Sequence, residues 1–386
     1  MTGFVLRAYT DRDSGCPKYA QFGPRGLRFT GKQDMPVLMR DIARKAGVSI
    51  TTVSHVLNKT RPVAEPTRER VLRITEQLSY FRNTSARLLV RGRSDLLGLI
   101  ISDIENPFFP ELIKSFERAC ARERLEVLLC ATNYDRVHAQ NAVRRMLENR
   151  VQGVAVMTSQ FDLDLEEQLT GKGLPVVLLG SPPAGKGRSH IAIDYSHGIS
   201  EAMKHLYDLG HRSIALATGP PDQVSAIDHR NAVISALKKL GCKPFCIIEG
   251  DHRPESGASA AQQLLSARER PTAIFCGNDR MAIGALGRAM ELGFKVPEDV
   301  SIVGSDDVWM ARYTHPPLTT VRIPQDRLGQ LAFDALTRML KSKRRAGTNH
   351  VLETELAVRQ STGPAKGAES RGWNTRKRSN QQQRYA

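Results

Sequence analysis

The stretch Arg40 to Asn58, RDIARKAGVSITTVSHVLN, constrains this chain more than any other. Ile42, Ala43 and Ala46 recur at helical spacing, Gly47 interrupts the run, and Ser49 is placed to cap a second helix whose inner face carries Val53, Val56 and Leu57. Two short helices joined by a tight turn follow. With that face buried, Thr51, Ser54, His55 and Asn58 point outward, with Ile50 at the start, and these short polar or methyl-bearing groups can reach base edges. This is the build of a helix-turn-helix whose second helix enters the major groove. A three-helix module used for protein contacts has the same local pattern, so the rest of the chain must decide.

Charge bears on that choice. The net charge is +16, of which residues 35–95 carry +7, residues 1–34 carry +3 and residues 363–386 carry +5, leaving the long middle almost neutral. Basic charge gathered on the helix-turn-helix segment and the two ends is the footprint of a phosphate-binding surface. No apolar run approaches a membrane span, and MTGFVLRAYTDRDSG has charges where a signal peptide needs its apolar centre, so a cytoplasmic protein with no membrane partner is expected. The six cysteines, Cys16, Cys120, Cys130, Cys242, Cys246 and Cys276, show no paired zinc spacing and read as reduced thiols; neither a metal nor a cofactor is expected.

Residues 1–34 lack periodicity and end just before Met35, so they read as a disordered extension or a consequence of start-site choice. A third helix opens at Glu65-Pro66-Thr67, carries Val71, Ile74 and Leu78 inward, and completes a DNA-binding domain over residues 35–82. Residues 83–95 form a linker in which NTSARLLVR, Asn83 to Arg91, is too short to hold a helix alone and is expected to fold on DNA. From Leu96 to about residue 362 the pattern changes. LLGLII, EVLLC, GVAVM, PVVLL, SIALA, CIIEG, TAIFC and VSIVG read as buried strands between amphipathic helices. That βα rhythm predicts doubly wound parallel sheets, and so many strands suggest two lobes, although periodicity alone also allows a barrel. The tail, residues 363–386, is basic, poor in aliphatics and read as disordered.

These residues resemble a known family. AGVSITTVSHVLN, TRERV at Thr67, the Leu78 and Tyr80 pair and Asn83 are similar to the headpiece of the LacI/GalR transcription repressors. SDIENPFFPEL at Ser102, HLYDLGHRSIAL at His205, RPTAIFCGNDRMAIGAL at Arg270, VPEDVSIVGSDD at Val296 and PPLTTVRIPQDRLG at Pro316 are similar to the core that family shares with periplasmic sugar-binding proteins. The resemblance implies an all-α headpiece on a two-lobed α/β core with a ligand cleft at the carboxyl ends of the strands. It places lobe 1 at about 96–192 and 322–345, lobe 2 at about 193–321 and 346–362, and the chain crossings near Asp194, Arg322 and residue 346. It also implies base-edge contacts from Ile50, Thr51 and His55, backbone contacts from Thr52, Ser54 and Asn58, and a minor-groove wedge from Leu89. Where many relatives have arginine, His55 offers a shorter side chain with one good hydrogen bond. Leu88 beside Leu89, and Arg82 where relatives usually have proline, also depart from the pattern.

For the effector, the matching positions are Phe108, Phe109, Phe161, Asp194, Arg230 and Asp279, a set of carboxylates, a guanidinium and aromatic faces suited to a sugar. The Gly-aromatic pair that relatives carry three residues after the arginine is missing after Arg230. A purine-responsive branch of the family has a run similar to GDHRPESG, Gly250 to Gly257, which keeps a purine corepressor as the alternative to a sugar. The implied protein is a homodimeric repressor of carbohydrate-use genes on a pseudo-palindromic operator, switched by that ligand. A sugar-binding transport receptor would explain the core but not Arg40 to Asn58. An enzyme would need a nucleophile elbow, phosphate loop or metal motif, and none is written here.

Overall fold

The computed structural model describes residues 37–80, 94–158, 161–180 and 184–366. The extension at 1–34, most of the linker with Leu89, and nearly all of the tail lie outside the described residues. The chain separates into two units with a boundary at Asn83, each taken by itself below.

In the first unit, helix α1 (Met39–Ala46) ends on Gly47, whose φ of 63° is the left-handed conformation that glycine adopts without strain. Helix α2 (Ile50–Asn58) starts at Ser49, whose side chain accepts from Thr52 N at 3.0 Å, and α3 (Glu65–Gln77) starts with proline in its first turn. Ile42, Ala43, Ala46, Val53, Val56, Leu57 and Val71 form one buried cluster. Burying each large aliphatic side chain contributes about 1.5–3 kcal/mol. A core this small leaves little margin.

The second unit holds two six-stranded sheets. In the first, strands run β2 (Glu126–Ala131), β1 (Leu96–Ile101), β3 (Val154–Met157), β4 (Val176–Leu179), β5 (Arg188–Asp194), β11 (Asn349–Glu353), all parallel. The second runs β7 (Ile247–Glu249), β6 (Ile214–Thr218), β8 (Ala273–Cys276), β9 (Ser301–Asp306), β10 (Thr319–Arg322), β12 (Glu355–Ala357), with only the β10–β12 pair antiparallel. The central strands are apolar nearly throughout, as β1 and β8 show, because helices cover both faces. Lobe 1 carries α4 (Phe109–Arg122), α5 (Arg136–Glu148) and α6 (Leu163–Gly171). Lobe 2 carries α7 (Tyr195–Asp208), α8 (Val224–Lys239), α9 (Pro254–Ser266) and α10 (Asp279–Glu291). Helix α11 (Gln325–Lys341) returns to lobe 1 and packs on α4, where a Cβ on Gly329 would stand 2.4 Å from Leu112 O. The doubly wound pair of sheets replaces the barrel that periodicity alone allowed.

The chain crosses between lobes after Asp194, after Arg322 and at Thr354. The last differs from the crossing read near residue 346. Asn349–Glu353 pairs with β5 and so belongs to lobe 1, a half-exposed edge strand without the apolar run that marks the others. Thr354 ties two crossings together, donating to Asp194 O at 2.8 Å and accepting from Gly198 N at 3.1 Å. Among the described residues no helix is long and apolar enough to cross a membrane.

Candidate functional site

Two surfaces carry chemistry. On the headpiece, the buried stripe of α2 fixes what its other face presents. Ile50 is 53% exposed, Thr51 is exposed, and Thr52, Ser54 and His55 are half-buried. Thr52 Oγ1 lies 2.9 Å from Ser49 Oγ, and His55 Nδ1 lies 2.8 Å from Thr60 Oγ1, which anchors the imidazole from the following loop. Asn58 closes the helix, and its side chain, like Leu89, lies outside the described residues. The helix therefore offers an aliphatic tip, hydroxyls and a held imidazole, groups that suit base methyls, base edges and phosphates.

The second surface is a cavity of about 300 Å³ between the lobes, at the carboxyl ends of both sets of strands. Local sequence explains its walls. Asn106 Oδ1 accepts from Phe108 N at 3.0 Å, a side-chain turn that starts α4 and sets Phe108 and Phe109 edge to face at 5.2 Å on the lobe 1 wall. Across from them, Asn278 caps α10 through Met281 N at 2.9 Å and donates Nδ2 to His252 O at 3.1 Å, which fixes its amide and the loop bearing His252. His229 projects from α8 into the same space. Its Nε2 is 3.0 Å from Ser305 Oγ, and its ring stacks on Phe275 at 5.4 Å with the Tyr195 ring against it at 5.4 Å.

Burial sets the charges. It pushes the His229 imidazole down to about 3, with His252 adding to the effect, and the His252 imidazole down to about 4, where Asp251 opposes and Arg280 assists. Both rings are neutral at pH 7. Asp306, at φ 122°, is held well above the ordinary carboxylate range by burial and by Asp279, with Arg280 opposing. His190 Nε2 is buried on the wall with no hydrogen-bond partner. Neither lysine nor arginine lines the cavity. Aromatic faces, neutral imidazoles, amides and a carboxyl group can hold a small uncharged molecule by stacking and by edge hydrogen bonds. Among the described residues no cluster could hold a metal ion.

Of the six effector residues expected from sequence, Phe108 and Phe109 are on this wall. The other four are elsewhere. Phe161 packs against the cluster beneath α5 and α6. Asp194 caps α7, accepting from Ser196 N at 2.9 Å. Arg230 faces outward, 41% exposed and 4.0 Å from Glu249. Asp279 is fully buried and accepts from Val308 N at 2.8 Å and Thr320 Oγ1 at 2.5 Å, tying α10 to the strand end and β10; burial, ahead of these bonds, pushes its carboxyl up to about 7.

For Arg230 the difference is one residue of helix phase. Buried positions on α8 are Ala226, His229, Val233, Ala236 and Leu237, so 229 falls inside and 230 outside. That stripe was readable. Counted from His229, the small and apolar Ala232 and Val233 occupy the spacing where relatives carry a Gly-aromatic pair. Asp279 is likewise one residue past the lining residue Asn278. His252 sits in the GDHRPESG run, but no periodicity marks Asp306, Tyr134 or His190, which separate strands and loops bring together.

A groove-reading headpiece and a two-lobed core with a ligand-sized cleft define a helix-turn-helix regulator of the periplasmic-binding-protein-like type. Residues 38–83 match the family of bacterial regulatory proteins described as the lacI family, and residues 203–362 match the periplasmic binding protein-like domain. The chain is 38% identical over 328 residues to the HTH-type transcriptional repressor PurR of Proteus mirabilis, covering 84% of this chain and 96% of that one. It is 37% identical over 332 residues to the PurR of Photorhabdus laumondii, with the same coverage. Among solved structures, the lac repressor dimer bound to operator and the anti-inducer ONPF superposes with a TM-score of 0.74 at 29% identity, over 85% of this chain and 99% of that one. The transcriptional regulator CelR in complex with cellobiose gives 0.64 at 28% identity, over 84% and 99%. The chain belongs to the LacI family and is a DNA-binding transcription repressor, not an enzyme.

Proposed function

We propose that this repressor binds a pseudo-palindromic operator as a homodimer, in the cytoplasm where the chromosome lies, and that a planar, uncharged heterocycle of the purine-base class in the inter-lobe cleft sets its operator affinity. The observation that carries the ligand class is the cavity lining: Phe108, Phe109, Tyr195 and the neutral rings of His229 and His252 supply flat faces, and Asn278, Gln223 and Asp306 supply edge-reading groups. The PurR relatives favour the same class over a sugar, and of the residues from which a sugar is expected only Phe108 and Phe109 line the cavity. The reading keeps the headpiece at residues 35–82, the linker at 83–95 and the core from residue 96, where β1 begins.

A sugar remains the second reading, on the likeness to the CelR–cellobiose complex. On the DNA side, Ile50, Thr51 and His55 read bases, Thr52, Ser54 and Asn58 hold the backbone, and Leu89 enters the minor groove. The switch is a linkage: a ligand that prefers one lobe arrangement shifts the headpieces toward or away from the operator by its differential affinity alone.

Fluorescence anisotropy on DNA from the upstream region of the protein's own gene tests this, with hypoxanthine, guanine, adenine and simple sugars added in turn. A steeply salt-dependent, sequence-selective affinity that only purine bases alter supports the reading. A response to a sugar alone transfers the function to the second reading.

A further inference from the structure

Away from the three chain crossings, one ion pair among the described residues spans the cleft. Arg280 Nη1, in the first turn of α10 on lobe 2, lies 3.2 Å from Asp103 Oδ2, in the loop after β1 on lobe 1. The side chains are 16% and 19% exposed, respectively. Both ends are held before they meet. Asp103 Oδ1 accepts from Glu105 N at 2.8 Å in a turn of its own loop, and Arg280 directly follows the cap Asn278 and the buried Asp279 in the first turn of a helix packed against α9. Arg280 also stands within electrostatic reach of Asp306 and His252 on its own lobe and of Tyr134 across the cleft.

An exposed ion pair is worth little, because water screens it and two long side chains lose freedom to form it. This one is mostly shielded and its partners are already oriented, so less is lost. It stands beside the cavity, next to the lining residues Ser102 and Asn278, while Thr354 and Gln325 hold the crossings through Asp194 O and Asp306 O. Opening the lobes by rotation about those crossings separates Asp103 from Arg280 while leaving the hinge contacts in place.

We propose that Asp103 and Arg280 form a clasp that holds the two lobes closed over the cavity, with Arg280 the positioning residue that joins the lobe arrangement to the polar groups Asp306 and His252 inside. The role in ligand capture rests on the cleft being the ligand site; the clasp itself does not. Breaking the pair loosens the cavity rim on both lobes, and so lowers the population of the closed arrangement that a ligand meets.

The test uses the full chain without DNA or added ligand, as wild type, Asp103→Asn, Arg280→Gln, the double variant and Arg280→Lys. Hydrogen-deuterium exchange is followed at the rim, residues 102–109, 133–135 and 219–225, with strands β3 and β8 as internal controls. The clasp predicts at least threefold faster exchange at the rim of both lobes in either single variant, no further gain in the double variant, wild-type behaviour in Arg280→Lys, and unchanged controls. Rim exchange equal to wild type in the single variants overturns it. So does a double variant whose effect is the product of the two singles, since independent residues multiply where a pair does not. If the clasp holds but no purine or sugar alters DNA binding, the ligand reading fails and the clasp stands.

Discussion

His229 and Ser305 meet at 3.0 Å on the cavity wall, a helix side chain bonded to a strand-end hydroxyl, while the outward Arg230 next to it pairs loosely with Glu249. His229→Ala therefore weakens ligand binding by roughly tenfold, through the loss of a wall ring together with the Ser305 bond that holds it in place. Arg230→Ala changes it by less than about twofold, as an exposed pair is worth little. Isothermal titration of both variants with the base that alters operator affinity decides the matter; equal losses would show that the helix phase has been misjudged.

The anchoring of His55 by Thr60 gives a prediction for the operator. His55→Ala should cost about 1–3 kcal/mol on the best operator and flatten the preference at one base pair. Thr51→Ala should do the same at a different position. A phosphate contact behaves otherwise, lowering affinity evenly across sequences and reducing the salt slope. Anisotropy with single-base operator variants separates the two behaviours.

Ser49→Ala removes the cap of α2, a bond of 3.0 Å to Thr52 N and a hydroxyl contact of 2.9 Å. In a headpiece with so small a core the expected loss is about 1 kcal/mol of stability. Circular dichroism melting of the isolated residues 35–82 would report it, provided the wild-type fragment folds; in the full chain, exchange over α2 reports the same loss.

Gly198 lies where two crossings touch. A Cβ there would stand 2.8 Å from both Thr354 Oγ1 and Val321 Cγ1 and 3.0 Å from Glu355 N, so Gly198→Ala must push α7 from β10 and β12. Overpacking of this kind costs about 1–3 kcal/mol. A denaturant titration that finds the variant as stable as wild type would mean the crossings yield more easily than their contacts imply.

His211 supplies a pH prediction. Buried between Thr272 and the Gly363 carbonyl, each at 2.9 Å, its imidazole is pushed down to about 4 by burial, although the carbonyl bond opposes the shift. The unfolded chain binds a proton near pH 6.5 that the folded chain refuses until about 4. This group's contribution is thus intact above pH 6.5 and is lost as pH falls toward 4, at up to about 1.4 kcal/mol per pH unit. His211→Asn removes that slope. The stability of the variant relative to wild type should rise as pH falls from 6.5 to 4, measured by urea midpoints at several pH values; a constant difference would contradict it.

The helix-turn-helix was legible because its information is local: Ser49 caps, Gly47 turns and the Ile42 to Val71 stripe needs only helical periodicity to be seen. The strands of both sheets' centres were legible for the same reason, as parallel strands buried on two faces must be apolar throughout. The half-exposed edge strand Asn349–Glu353 carried no such mark, and its pairing with β5 moved the last crossing to Thr354.

The cavity wall lay further from the sequence. Phe108 and Phe109 follow a turn written in Asn106-Pro107 and could be placed, whereas family likeness put Arg230 and Asp279 one residue past His229 and Asn278. A shift of one residue on a helix turns a side chain by roughly 100°, from wall to solvent or from wall to core. Sequence alone determined the headpiece helices, most of the apolar strands and what the headpiece is for. Only the tertiary structure decided which side chains share the cleft, because Asp306, His252, His190 and Tyr134 come from separate strands and loops whose meeting depends on strand order and on the three crossings.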